Sequence, residues 1–225
     1  MKNSTVHSLI KCSAILILLA LPFIISAQKN NDFYFDENGN SIKKSKFEKK
    51  VYKDGYLDIK EIRNDSVMHR LVFREEEGTI NKNDLGQLRD YLKKCTGETF
   101  SSNEIIVIIY YPGKDPCNSS GVANTDRFLI KKYHQNLKQG LEEQGNVHLV
   151  NLYKSYEGLK PQKGIVKWYP DVDGEIEQRF FKQHYPCRSY VVINTTGAYY
   201  AYFGEYPDST IIDVVKIFNE KNKEK

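Results

Sequence analysis

Apolar positions fall into three patterns along this 225-residue chain, and each predicts a different element. The run Ile105-Ile106-Val107-Ile108-Ile109-Tyr110-Tyr111 has no polar alternation, the mark of a central strand covered on both faces. Tyr190 to Asn194 reads the same way, and Val147 to Tyr153 predicts another strand. Thr195-Thr196-Gly197 is a tight turn that pairs 190–194 with a strand from Ala198 to Phe203. Helical spacing appears elsewhere. Leu85, Leu88, Leu92 and Cys95 share one face of a helix over 83–96, with Gly97 just past its end. Ile130, Tyr133, Leu137 and Leu141 predict a long helix over 125–144, capped by Asn124 or Thr125 and ended by Gly145. Gly174 to Gln183 is a short helix carrying Ile176 and Phe180. Ile211, Val214, Val215 and Phe218 stripe a last helix over 209–221, capped by Asp208 or Ser209. The segment 33–80 reads mainly as strands. Tyr56 to Ile62 and Val67 to Phe73 flank the turn residues Asn64 and Asp65, and Asp36-Glu37-Asn38-Gly39 is a further turn. Residues 154–172 carry no usable period.

The first 27 residues have the layout of an export signal. Lys2 and Lys11 supply positive charge, Ser13 to Ile25 is an apolar stretch too short for a membrane span, and Ser26-Ala27 are small residues before Gln28. Cleavage after Ala27 would remove Cys12 and leave 198 residues, with no second apolar run of that kind. It removes two lysines and no acids, so the formal charge of +4 becomes +2. No basic cluster dominates a segment, which argues against a nucleic-acid partner. The expected location is the periplasm or the extracellular space, where disulfides persist. Three cysteines remain, Cys95, Cys117 and Cys187, enough for one bridge and one spare thiol. Cys95 lies on the apolar side of its helix and reads as a buried structural thiol.

From residue 105 the order is strand, helix, strand, helix, hairpin, helix, with Pro186 before the hairpin. This resembles the thioredoxin-like fold, in which parallel βαβ and antiparallel ββα halves share one sheet. The fold class expected is therefore α/β: a thioredoxin-like sheet with flanking helices over about 105–220. A small β-rich appendage with one helix would precede it, giving 1–27 as leader, 28–100 as appendage and 101–225 as the thioredoxin-like domain. Redox-active members carry C-x-x-C at the start of the first helix, facing a cis-proline loop. The matching stretch here is Cys117-Asn118-Ser119-Ser120, so serine replaces the second cysteine. The usual tryptophan is missing, and the loop from Tyr111 to Cys117 is longer than usual.

The resemblance implies that Cys117 and Cys187 are neighbours and that the Tyr185–Pro186 bond is cis. A Cys117–Cys187 bridge would close about 70 residues and stabilise by roughly 4 kcal/mol in the chain-entropy model. In the other reading Cys117, at a helix N-terminus, is a lowered-pKa nucleophile, Cys187 its resolving partner and His184 a nearby base. The oxidising compartment favours the structural bridge. No metal-ligand spacing, phosphate loop or dinucleotide fingerprint is present, so no cofactor or metal is expected. Sixteen tyrosines, concentrated near the hairpin, offer either cross-strand packing or a protein-binding surface. Two function classes stay open: a non-catalytic module for binding or envelope assembly, and a thiol–disulfide oxidoreductase.

Overall fold

The computed structural model describes residues 31–119 and 122–223. The expected leader, its cleavage site and Ser120 lie outside the described residues. The chain is a mixed α/β protein with two sheets.

The smaller sheet has the order β1-β3-β2, formed by β1 (Asn31–Phe35), β2 (Leu57–Arg63) and β3 (Ser66–Val72). The expected hairpin is there: β2 and β3 pair antiparallel, with Ile62 opposite Val67, and Asn64 takes the left-handed conformation of the turn at φ 53°. Two elements of this segment differ from the strand-rich reading. β1 runs parallel to β3, and Lys44–Lys53 is a helix, α1. That helix buries only Phe47, so its apolar signal is a single contact rather than a stripe. Phe47 and Tyr34 enclose His69, whose ring stacks on Tyr34 at 4.7 Å and whose Nδ1 lies 3.0 Å from the Asp58 carboxylate. The turn at Asp36 forms as expected, its carboxylate accepting the N–H groups of Asn38 and Asn40.

The larger sheet has six strands in the order β4-β9-β8-β5-β6-β7. These are β4 (Glu75–Thr79), β5 (Ile105–Tyr111), β6 (Val147–Tyr153), β7 (Trp168–Pro170), β8 (Ser189–Ile193) and β9 (Ala198–Tyr202). β5 is parallel to β6 and antiparallel to β8, and β8 and β9 form the expected hairpin. At its turn Gly197 holds φ +91°, and a side chain there would strike the Ile80 carbonyl. Sheet membership changes between Val72 and Glu75, since β4 pairs with β9.

Helix packing explains why β5 lacks alternation. Ile106, Ile108 and Tyr110 face α2 (Lys82–Thr96) and α5 (Glu175–Phe180), meeting Leu85, Leu88, Leu92, Ile176 and Phe180. Ile105, Val107 and Ile109 face α4 (Arg127–Glu142) and α6 (Asp208–Lys223), meeting Leu137, Leu141, Ile211 and Val215. Both faces are sealed, so every β5 residue is buried. The helix ends follow ordinary capping. Asn81 accepts the Asp84 N–H to start α2, and Gly97 ends it at φ 75°. The long helix α4 is capped by Asp126 rather than by Asn124 or Thr125, which fall in a separate short turn of helix, α3 (Val122–Thr125). Cys95 is half-buried, packed against the α2 core rather than fully enclosed.

Candidate functional site

Cys117 and Cys187 stand at disulfide distance, their Cα atoms 5.0 Å apart across 70 positions of sequence. They sit at the carboxyl end of β5, where the loop after Tyr111 meets the loop before β8. Cys187 is buried and Cys117 half-buried.

Two side chains from the first loop hold the second. The Asp115 carboxylate, 9% exposed, accepts the Cys187 N–H at 2.9 Å through Oδ2 and the Asn118 N–H at 2.8 Å through Oδ1. Asn118 in turn donates from Nδ2 to the Cys187 carbonyl at 3.0 Å and to the Gly113 carbonyl at 2.7 Å. Both backbone polar groups of Cys187 are thus bound by the Cys117 loop. Cys187 has φ +66°, a conformation that costs a non-glycine residue roughly 1–2 kcal/mol. Such strain persists only where surrounding contacts over-determine it, as these bonds do.

Several expectations change here. No cis peptide occurs among the described residues, so the Tyr185–Pro186 bond is trans. The approach of the two loops is made instead by the left-handed turn at Cys187. Cys117 is not at the start of the long helix, which opens at Arg127 behind its own cap. His184 is exposed, and its Nε2 lies 3.5 Å from Asp115 Oδ2, so it faces the carboxylate that braces Cys187. The tyrosines of the hairpin pack on one another: Tyr190 stacks on Tyr202 at 5.8 Å and meets Tyr206 edge-on at 4.7 Å.

Beside the cystine lies a cleft of about 330 Å³ between α4, the start of α6, the carboxyl halves of β5 and β6 and the first residue of β7. One wall is aromatic. Trp168 and Tyr111 meet edge-to-face at 5.9 Å, and Trp168 Nε1 is fixed by a 2.8 Å bond to Gln162 Oε1. Tyr111 donates to the Glu157 carbonyl at 2.8 Å, and burial, then Asp115 and Glu157, push its pKa up to about 12. The opposite wall is polar. Arg188 donates to Asp208 Oδ1 at 2.9 Å while its guanidinium lies 5.2 Å over the Tyr206 ring. Burial, and next the Lys138 charge, hold the His134 imidazole below its ordinary pKa. Asn151, almost fully buried, lines the floor.

The sulfurs of Cys117 and Cys187 and the exposed Glu205 carboxylate lie within 4.8 Å of one another. While the sulfurs are bonded to each other they offer no thiolate to a metal. Asn151, Arg188 and Asp208 were not read as site residues from the sequence. Of these only Asn151 left a signal, an amide inside an apolar strand. Among the described residues no helix is long and apolar enough to cross a membrane. No family model and no curated protein sequence matches the chain.

Proposed function

We propose that this protein is an exported thioredoxin-like module that binds rather than catalyses, with the Cys117–Cys187 bridge as a structural brace beside its binding cleft. The strand order β6-β5-β8-β9, with helices on both faces, supports the thioredoxin-like reading. The trans Pro186 and the serine at 120 depart from the redox-active members, and both departures favour a module without dithiol turnover.

The observation that carries this reading is the double clasp on Cys187. A resolving cysteine must let its sulfur move as the bridge opens and closes. Here its N–H and its carbonyl are both held by Asp115 and Asn118. The helix-dipole support for a Cys117 thiolate is also missing, because Asp126 occupies the N-terminus of α4. One feature favours the thiol–disulfide oxidoreductase reading: Cys117 is the more exposed residue of the two, as a nucleophile would be.

Insulin reduction by the mature protein separates the two. The expected result is no turnover, with a bridge that resists a glutathione buffer because its potential lies below about −300 mV. Peptide mapping without reduction should show Cys117 linked to Cys187, and denatured protein should titrate one thiol, that of Cys95. Robust turnover lost in Cys117→Ser at unchanged melting temperature would make Cys117 a nucleophile and reverse the reading.

A further inference from the structure

One residue on the α4/α6 face contradicts its surroundings. Strand β6 sets Asn151 between Val150 and Leu152, both buried and apolar. At its level the sheet reads Tyr202, Tyr190, Ile109, Asn151, Trp168 from strand to strand. Asn151 is 6% exposed. Its Nδ2 makes a 3.4 Å contact with the Lys167 carbonyl, and its Oδ1 accepts nothing among the described residues. That oxygen is not among the fully enclosed atoms left without a partner, so it opens to the cleft that Asn151 lines. Folds break their local rules chiefly where function requires it.

The space that Asn151 lines is the cleft beside the cystine, and its two walls restrict what can fill it. On the aromatic wall the part-exposed Trp168, backed by the buried Tyr111, suits an apolar surface, in particular C–H groups directed at an electron-rich ring face. The polar wall offers donors and acceptors together. Arg188 has donors beyond the one given to Asp208, Asp208 has free lone pairs, and the His134 imidazole has no hydrogen bond among the described residues. Arg188 faces Asp208 at 2.9 Å and, farther off, Glu205. An anion would meet two carboxylates, and a cation would meet the guanidinium.

We propose that the cleft binds one neutral pyranose unit, its C–H face against Trp168 and its hydroxyls on Asn151, His134 and the Arg188–Asp208 pair. Few polar points in a concave, partly aromatic site of this size is the usual form of a small-molecule pocket. The inference rests on reading the protein as a binding module, and it names the chemistry of what is bound. A free monosaccharide and the terminal residue of a glycan present the same unit.

Trp168 is the chain's single tryptophan, so its emission reports on this cleft alone. The mature, oxidised protein is titrated with methyl glycosides of glucose, galactose, mannose and N-acetylglucosamine, then with disaccharides ending in the same units. At least one pyranoside should give a saturable change. Tighter binding of the disaccharide would assign the site to a glycan end, and equal or weaker binding to a free sugar. Asn151→Leu should weaken binding tenfold or more while the melting temperature holds or rises, because a poorly paired amide is replaced by an apolar side chain of similar volume. A merely structural Asn151 would lower it. Should that variant not fold, His134→Ala on α4 provides the same reading, with a several-fold loss expected. The proposal is overturned if no pyranoside gives a saturable change, if the folded variant binds as the wild type does, or if only glycyl-phenylalanine or benzoate saturates the signal. Insulin turnover through Cys117 would overturn the non-catalytic reading and leave a positive sugar titration standing. An inert cystine with no pyranoside binding would do the reverse.

Discussion

His148 and Asn151 lie three residues apart on β6 and face opposite sides of the sheet. His148 points to the α2 side, where its ring lies 4.2 Å from Phe100. Its Nε2 is 3.0 Å from Glu98 and its Nδ1 3.5 Å from Glu104. Glu98 also accepts from Lys167 at 2.8 Å and from the Tyr169 hydroxyl. These donors, Lys167 first and then Tyr169, draw the Glu98 pKa down to about 2, against some opposition from burial. Asn151, on the other side, has one long contact. The first cluster is complete within the protein, so its role is structural. The second is incomplete, and the proposed ligand would complete it. The presence of polar residues in a half-buried place is therefore a weak guide to a site, and unspent hydrogen-bonding capacity that opens to a cleft is a better one.

The largest test of this contrast is at the cystine, which frames the incomplete side. Cys117→Ser should lose about 4 kcal/mol, as the chain-entropy model gives for a loop of this length. Urea unfolding of wild type and variant, with and without a reductant, measures it. Equal midpoints for oxidised wild type and variant would mean that the bridge is not a brace.

The next largest effect is expected in the complete cluster. The ordinary glutamate pKa of 4.5 falls to about 2 in the folded state, so folding favours the ionised form. Its contribution is therefore full above pH 4.5 and is lost as pH falls toward 2. Glu98→Gln should flatten that part of the stability profile. Solvent screening of a carboxylate this exposed holds the loss at neutral pH to about 1 kcal/mol, or roughly 2–4 °C. Thermal melts from acid to neutral pH decide it, and superimposable profiles would show that the cluster contributes nothing.

The smallest effect belongs to Tyr110, whose buried hydroxyl on the α2 side has no partner among the described residues. Burial, then Glu177 and Asp171, push its pKa well up, so the phenol stays neutral. Tyr110→Phe should be neutral or stabilising within about 0.5 kcal/mol, because it removes a polar atom that makes no bond. A loss above about 1 kcal/mol would mean that the hydroxyl is satisfied, and the contrast between the two faces would sharpen.

Much of the larger sheet is legible in the amino-acid pattern. Strands β5, β6, β8 and β9 and helices α2, α4 and α6 each bury a stripe or a continuous run, and burial leaves a period in the sequence. The elements that were missed bury little. Helix α1 hides one phenylalanine, β7 is three residues long, and β4 is Glu75-Glu76-Glu77-Gly78-Thr79, a strand by pairing rather than by apolar content. The cysteine pair was found because element order brings it together. The cleft was not, because Arg188, Asp208 and Asn151 become neighbours only when β6, β8 and α6 are assembled, and no spacing in the chain records that.

Strand β4 has a consequence for solubility. It occupies the outer edge of the hairpin strand β9, register by register from Glu75–Tyr202 to Thr79–Ala198. Without it, β9 would present a row of unpaired amides flanked by Tyr199, Tyr200 and Tyr202, an open template for another chain to pair with. Three consecutive glutamates make a poor template in their turn, since two such edges would repel. A fragment begun at residue 101, where the strongest apolar run starts, would lose β4 together with α2, baring the β9 edge and one face of β5, and should aggregate. The acidic strand is a hem on the sheet, and fragments meant to remain monomeric should begin before Glu75.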